Sequence, residues 1–346
     1  MDETTNTTRD FDKWYENHHT LYKAYAECIK TLLEKLLNQS NLPYHSITCR
    51  LKDRASFLAK FDRKGYSSIE DVTDIAGIRI IAHTTSDELA ISELIKREFI
   101  YDVSQSGDKA DGLNDDQVGY LSIHFIAELN SERSHLGEYS AYKGLKCEIQ
   151  VRTLLQHAWA EIEHDRNYKF GGVLPKDIRR RFYLVAGVLE LMDAEFERLS
   201  KEIDTYGQQV TEDAQLGKLN IPIDSTSLTG YMQVKFPMLE PGVWDAEAEK
   251  TVISELADMG ITSLSQLDAI LSPKITSAIE ERIQAEKRSY MGVLRDIMIL
   301  HDVDTYFQKA HKNHWSAISK SHLAFWAKNG INTNPYYDLF KLILEE

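Results

Sequence analysis

Ten polar side chains between residues 50 and 152 have the types that phosphoryl-group chemistry requires: Arg50, Lys52, Lys60, Asp74, Arg79, Tyr120, His124, Glu148, Gln150 and Arg152. Arg50, Lys52 and Lys60 can hold a polyphosphate, the arginine through a planar fork and the lysines as point charges. Asp74 and Glu148 are the candidates for holding Mg²⁺, a hard ion that takes oxygen ligands and keeps several waters. Tyr120, beside a polar glycine-containing loop, can stack on a base. The sequence has no GxxxxGK[ST] loop and no kinase-like HRD or DFG set, which excludes the nucleotide-binding machinery built on those motifs. Cys28, Cys49 and Cys147 form no CxxC pair, so neither a zinc site nor a disulfide framework is expected, and a reduced, cytoplasmic protein is the plain reading.

Bringing these residues together requires a sheet. PYHSITCRL at 43–51 alternates as a strand, with Ile47, Cys49 and Leu51 on one face and Arg50 and Lys52 on the other. Residues 53–65 read as a helix capped by Asp53 and stopped by Gly65, on which Ser56, Lys60 and Lys64 stack one turn apart. In 74–81, Ile75, Ile78, Ile80 and Ile81 mark a buried strand, and Gly77 marks a place where something approaches the backbone closely. Asp74 and Arg79 would face opposite sides of a regular strand, so a bend near Gly77 is needed to bring them to one site. A short helix at 86–98 and a mobile loop at 102–117 follow. The next strand, 119–129, places Tyr120, Ser122 and His124 on one face and Leu121, Ile123 and Phe125 on the other. Another loop, 130–144, leads to LKCEIQVRT at 145–153, where Lys146, Glu148, Gln150 and Arg152 form a polar row. In a central strand such a row signals a site, because buried charges must be paired or ligated; on an edge it is ordinary surface.

The remaining elements are helical. An aromatic and aliphatic stripe over 11–39 reads as one or two helices packed on the core. His157 and Glu161 lie one turn apart after residue 154 and read as a satisfied helix-face pair rather than a metal motif. A long amphipathic helix at 176–207 carries Phe182, Val185, Leu189, Met192, Phe196 and Leu199 on its apolar face and begins with the basic cluster Arg179–Arg181. Residues 216–236 read as a linker with short extended pieces, and helices are expected at 243–259, 263–270, 272–287 and, with a break, 290–327. The aromatic cluster of Trp315, Phe325, Trp326, Tyr336 and Tyr337 reads as core, with a detachable binding element as the alternative. With 346 residues and a net charge of −14, two domains are expected, broad coating of nucleic acid is disfavoured, and no apolar run reaches the ~18 residues of a membrane span.

Five ordered blocks, ITCRLKDRASFLAKFDRKG, IEDVTDIAGIRII, GYLSIHF, EIQVRTLLQHAWAEIEH and a following YK, resemble the synthetase domain of the RelA/SpoT family, the ATP-dependent pyrophosphokinases. The resemblance runs from about residue 43 to 200. It implies an α/β (α+β) fold, a mixed sheet flanked by helices of nucleotidyltransferase type. It also implies transfer of the β,γ-pyrophosphate of ATP to a ribose 3′-hydroxyl. Arg50, Lys52, Ser56 and Lys60 would hold ATP, and Asp74 would be the main Mg²⁺ ligand. Glu148 would be a second ligand or the group that activates the hydroxyl. Tyr120 would stack on the acceptor base, and Arg79, His124, Gln150 and Arg152 would complete the site.

Two departures shape the expected partners. The family's lysine-containing segment ahead of the tyrosine reads DVSQSGDKADGLNDDQVGY here, so the acceptor pocket is altered where guanosine phosphates would lie. No hydrolase domain of the family's kind precedes residue 43, and no TGS, ACT or zinc-finger region follows 200. The helix-rich second half resembles the fused toxin–antitoxin synthetases of the CapRel kind. On that resemblance the chain divides into a synthetase domain at 1–206, a linker at 207–236 and a regulatory domain at 237–346. The acceptor expected first is the 3′-CCA end of tRNA, with Arg179–Arg181, Lys143 and Lys146 as phosphate contacts. The C-terminal domain would hold the enzyme closed until a phage capsid-type protein binds, with Tyr336 and Tyr337 near the ATP site or the trigger surface. GTP or GDP is the alternative acceptor, and a silent nucleotide- or protein-binding module the third reading; neither a membrane nor duplex DNA is an expected partner.

Overall fold

A computed structural model describes residues 3–64, 66, 68–108, 122–169, 175–239, 246–312, 314–315, 317–339 and 342–344. The chain divides into two compact units, Met1–Leu199 and Ser200–Glu346.

The first unit is built on a mixed sheet. Its strands are β1 (Ser46–Leu51), β2 (Ala76–Ala82), β3 (Phe99–Tyr101), β4 (Gly107–Asp108), β5 (Ile123–Leu129) and β6 (Cys147–Thr153). The order is β1-β2-β6-β5-β3, with β4 also paired to β5. Only β2 and β6 run parallel; the other pairs are antiparallel. The polar row of β6 therefore belongs to a central strand, which selects the site reading over the surface one.

Helices α1 (Glu3–Gln39), α2 (Arg54–Lys64), α3 (Thr85–Glu98), α4 (Ser131–Ser134), α5 (Leu154–Lys169) and the first part of α6 (Lys176–Gln215), up to Leu199, complete the unit. One sheet face is apolar: Ile78, Ile80, Ile149, Val151 and Phe125 form a single core with Tyr25, Ile29, Leu33 and Leu37 of α1 and Ile91 and Ile95 of α3. Each fully buried large aliphatic contributes about 1.5–3 kcal/mol. Buried Tyr25 keeps its hydroxyl satisfied by donating to the Leu145 carbonyl at 2.7 Å. With one face fixed in this way, strand periodicity assigns every other residue to the opposite face.

Several elements differ from the sequence expectation. The strand begins at Ala76, so Asp74 precedes it, and the bend falls at Ile75 rather than near Gly77. The expected loop 102–117 contributes β4, because Gly107 and Asp108 can pair with His124 and Ile123. The loop 130–144 contains α4 and a 3₁₀ turn at Ser140–Tyr142. Helix α6 runs on to Gln215, through the boundary placed at 207, since no proline or capping glycine interrupts its pattern and Gly207 is tolerated within it. The expected linker 207–236 is likewise not extended throughout: α7 (Ser225–Lys235) occupies much of it. Asp224 and Ser227 form a capping box there, in which a serine substitutes for the usual acidic partner. Gly65 lies outside the described residues.

In the second unit α7 is followed by α8 (Ala246–Asp258), α9 (Leu264–Ile270), α10 (Pro273–Ala285), α11 (Tyr290–His301) and α12 (Val303–Thr305). A π-helical turn at Tyr306–Ala310, then β7 (Ala317–Ser319), α13 (Lys320–Lys328) and β8 (Leu342–Leu344) complete it. Its core includes Leu256, Leu294, Ile297, Tyr306 and Trp326, with Trp315, Phe325 and Tyr336 packed against them, so the aromatic cluster is core. Tyr336 stacks on Phe307 at 4.7 Å, whereas Tyr337 is half exposed. Two buried carboxylates are paired inside this unit. Glu255 receives two bonds of 2.9 Å from Arg295, and Asp296 is held by Arg288 at 2.9 Å and the Trp326 indole at 2.8 Å. Such pairs fix geometry more than they add stability.

Candidate active site

The second face of the sheet carries most of the candidate residues. The register sets Arg50 opposite Gly77, Gly77 beside Glu148, Arg79 beside Gln150, and Gln150 opposite His124. Residues in register point to one side, so four adjacent strands display Arg50, Arg79, Glu148, Gln150, Arg152 and His124 together. Arg50, Arg79, Glu148, Gln150 and Arg152 line a cavity of about 570 Å³ with Thr48, Gly77 and Glu161. Gly77 serves as the sequence suggests: a Cβ there would stand 3.3 Å from Cγ of Arg50 and 3.4 Å from its Nε, so its absence lets Arg50 lie across the sheet.

Within this face, Glu148 is held from two sides. His124 Nδ1 is 2.8 Å from Glu148 Oε1, and Gln150 Nε2 donates to Oε2 at 3.0 Å. A carboxylate only accepts, so the proton between the first pair rides on Nδ1. In the neutral ring Nε2 then accepts from the hydroxyl of buried Ser122, 2.6 Å away. Ser122, His124 and Glu148 thus form a relay that fixes the carboxylate's orientation. The sequence row already contains Ser122, but nothing in it shows that the hydroxyl is spent on the histidine.

Three arginines sharing a cavity repel one another unless anions are near. Arg79 is answered by Glu161 of α5 at 2.6 Å, a residue the sequence assigns to a helix-face pair with His157, from which it stands 3.8 Å. Arg152 is less well served: its Nε is buried without a hydrogen-bond partner among the described residues. Burial, reinforced by the like charge of Arg79, pushes its pKa down to about 10.

Asp74, Lys52 and Lys60 form a second cluster at the same end of the sheet as Glu148, since Leu51, Ala76 and Cys147 are register neighbours there. Both ammonium groups converge on one oxygen, Oδ2 of Asp74, at 2.8 and 2.9 Å. Burial opposes the Asp74 charge, but the hydrogen bonds and charges of the two lysines outweigh it and hold the carboxyl below the usual carboxylate range. The other oxygen, Oδ1, is buried with no hydrogen-bond partner among the described residues. Arg79 pairs away from Asp74, so the two do not form the couple that a bend at Gly77 was expected to create.

The remaining expected residues divide. Ser56 is exposed, and its backbone N–H is capped by Asp53 at 2.9 Å, an N-terminal turn rather than a wall of the cavity. Tyr120 lies outside the described residues. Among those described, no group of three or more histidine, cysteine or acidic side chains could hold a metal by itself. No described helix is long and apolar enough to cross a membrane.

Residues 49–173 match the family model described as a region found in RelA / SpoT proteins. Over 199 residues the chain is 28% identical to GTP pyrophosphokinase YjbM of Bacillus subtilis (strain 168), covering 56% of this chain and 91% of that protein. GTP pyrophosphokinase YwaC of the same organism is 26% identical over 200 residues, covering 55% and 92%. Among solved structures, the crystal structure of the small alarmone synthetase 1 from Bacillus subtilis matches at 28% identity with a TM-score of 0.48, over 56% of this chain and 99% of that one.

Proposed function

The chain carries a RelA/SpoT-type synthetase domain and is a pyrophosphotransferase, and on that premise we propose that it moves the β,γ-pyrophosphate of ATP to the 3′-hydroxyl of a guanosine nucleotide. The observation that carries this reading is the sheet face on which Arg50, Arg79 and Arg152 surround a cavity beside the braced Glu148. The guanosine acceptor is supported by the names of relatives matched over nine-tenths of their length.

Two groups of the site that lack a hydrogen-bond partner among the described residues are complementary to a metal-bound polyphosphate. Asp74 Oδ1 is a buried acceptor that lacks a cation, and Arg152 Nε is a buried donor that lacks an anion. Mg²⁺ needs only one or two carboxylates when phosphates and waters supply the rest, so Asp74, with Glu148 at the same end of the sheet, fits it. When bound, the ion would neutralise charge on the phosphates. Arg50, Arg152, Lys52 and Lys60 would orient the donor, the lysines exchanging part of their hold on Asp74 for phosphate oxygens. Glu148, aimed by His124 and Gln150, would take the proton of the 3′-hydroxyl as its oxygen bonds to the β-phosphorus and the bond to the α-phosphate oxygen breaks, releasing AMP. This chemistry rests on positioning and charge compensation rather than on a covalent enzyme intermediate.

A second reading, transfer to the 3′ end of tRNA under control of the C-terminal unit, is favoured by that unit itself. The two relatives are matched by only 55–56% of this chain, and the chain has a second compact unit, Ser200–Glu346. The exposed Arg179–Arg181 cluster would serve RNA phosphates, and a capsid-type phage protein would be the trigger.

The test incubates the full chain with Mg²⁺, ATP labelled in its β-phosphate, and GTP, GDP or deacylated tRNA, with Glu148→Gln as control. Label in guanosine tetra- or pentaphosphate supports the first reading, and label on the tRNA 3′ end supports the second. Absence of transfer to GTP or GDP, with the chain shown to bind ATP, would overturn the first reading; absence of transfer to tRNA by both the full chain and residues 1–216 would overturn the second.

A further inference from the structure

A cavity of about 250 Å³ lies wholly within the second unit, where Arg288, Arg295, Asp296, Trp315, His322 and Trp326 line it. At ~30 Å³ per water it has room for about eight waters, or for one small cyclic molecule. Its wall is more charged than packing requires, since apolar replacements of buried ion pairs are often neutral or stabilising. The side chains of Arg282 and Asp296 are 3% and 1% exposed, and that of Arg288 is 9% exposed. Asp296 accepts from Arg288 on one oxygen and from the Trp326 indole on the other, so it is ionised. Arg288 Nη1 donates to His322 Nε2 at 2.6 Å. That ring is therefore neutral, with its proton on Nδ1 toward Ser319 Oγ, also at 2.6 Å. Burial, reinforced by the adjacent guanidinium, holds the His322 pKa down to about 4.

Donors are left over in this cluster, but charge is not. Nε of Arg288 and both terminal nitrogens of Arg282 are buried with no hydrogen-bond partner among the described residues. Arg295 commits Nε and Nη2 to Glu255, and its Nη1 has no partner among the described residues. Yet the charges of Arg282, Arg288 and Arg295 are balanced by Glu286, Asp296 and Glu255. Spare donors without net positive charge select an acceptor group of low charge, a carboxylate rather than a polyphosphate.

The aromatic wall sets the rest of the ligand. The indole N–H of Trp326 is taken by Asp296 and that of Trp315 by the Tyr306 hydroxyl at 2.9 Å. The two rings, with centroids 6.4 Å apart, thus offer the cavity carbon surface. Gly292, in the first turn of α11, keeps the arginine in place. A Cβ there would stand 3.0 Å from Arg288 Nη2, so a weak helix former occupies a position where alanine would press on the guanidinium. We infer that this cavity binds a small planar ring bearing one carboxylate, which accepts the spare N–H groups of Arg288 and Arg295 while the ring lies against Trp315 and Trp326. The site is independent of which acceptor the synthetase unit uses.

Isothermal titration calorimetry of the full chain with benzoate tests it, beside acetate, which has the head without the ring, and benzyl alcohol, which has the ring without the charge. Benzoate should bind with a Kd below about 1 mM, about tenfold tighter than either control. Arg288→Gln should weaken benzoate about tenfold. Because that variant also loosens Asp296, Gly292→Ala provides a second reading. It favours the helix, so Tm should not fall, yet by displacing Arg288 it should weaken benzoate about fivefold. No saturable heat up to ~10 mM benzoate overturns the proposal. So does acetate matching benzoate, the behaviour of a bare anion site, or benzyl alcohol matching it, the behaviour of an apolar void. Unchanged benzoate affinity in Gly292→Ala also overturns it, since the bound molecule would then lie elsewhere on the chain.

Discussion

Replacing Asp74 with asparagine should destabilise the first unit by about 3 kcal/mol at neutral pH. Oδ2 of Asp74 accepts two ammonium groups at 2.8 and 2.9 Å, with side-chain exposures of 17% for Lys52 and 15% for Lys60 and Asp74. A hydrogen bond to a charged group contributes about 1.5–3 kcal/mol, and breaking a buried pair by removing one partner costs about 3–5 kcal/mol. An asparagine oxygen can still accept from one lysine without charge assistance, which keeps the expected loss near the lower figure. For a unit of this size that corresponds to a fall in Tm of roughly 6–12 °C. The pH dependence supplies a sign check. Asp74 titrates below its unfolded value of 3.8, so its contribution is full above that pH and fades as pH falls through the folded pKa. The gap between wild type and Asp74→Asn, measured by urea denaturation, should therefore be constant from pH 8 to 5 and narrow below pH 4. An asparagine variant within about 1 kcal/mol of wild type at pH 7 would refute the view that the two lysines and this carboxylate form a buried charge cluster. Adding Mg²⁺ with a non-hydrolysable ATP analogue should raise the Tm of wild type but not of the variant, which separates the ligand role from the structural one.

Other consequences follow from the same face. Ser122→Ala removes the hydroxyl from His124 Nε2, a bond at 2.6 Å, and should lower kcat about fivefold to tenfold with KM little changed. Ser122→Thr should recover most of the loss, and an unchanged kcat for Ser122→Ala would remove Ser122 from the relay. Gly77→Ala presses a methyl group to 3.3 Å from Arg50 Cγ, so steady-state kinetics should show KM for ATP rising roughly fivefold while stability changes by less than about 1 kcal/mol. Arg152 is cationic at neutral pH and titrates near 10, so kcat/KM should fall as pH rises through that value. The sign for stability is opposite: its folded pKa is depressed, so the fold bears a cost below pH 10 that is relieved above it, and Arg152→Met should flatten the alkaline limb of the activity profile without lowering Tm.

The sequence by itself determined β1, β2, β5 and β6 and which side chains share their faces, but not the short strands β3, β4, β7 and β8. A two-residue period and the isoleucines of β2 suffice to place Arg79, Glu148, Gln150 and Arg152 opposite the apolar side, and a glycine between isoleucines is enough to mark the close approach of a neighbour. It also carried the resemblance to RelA/SpoT synthetase domains, through five motif blocks in order, and residues 49–173 match the model of that region. Tertiary structure decided what local pattern cannot contain. Strand order made β6 central and so set its polar row along a cavity. Register set Gly77 under Arg50 and His124 against Gln150. The bend at Ile75 put both lysines on one oxygen of Asp74 and left Arg79 to Glu161, a partner on a helix 82 residues away in sequence. The helix boundary at 207 was misplaced for the same reason: α6 is carried on to Gln215 by packing within the second unit, where Val210 is buried, and no local signal marks where one core ends and the next begins. Periodicity reads the faces of an element; only the fold decides what meets them.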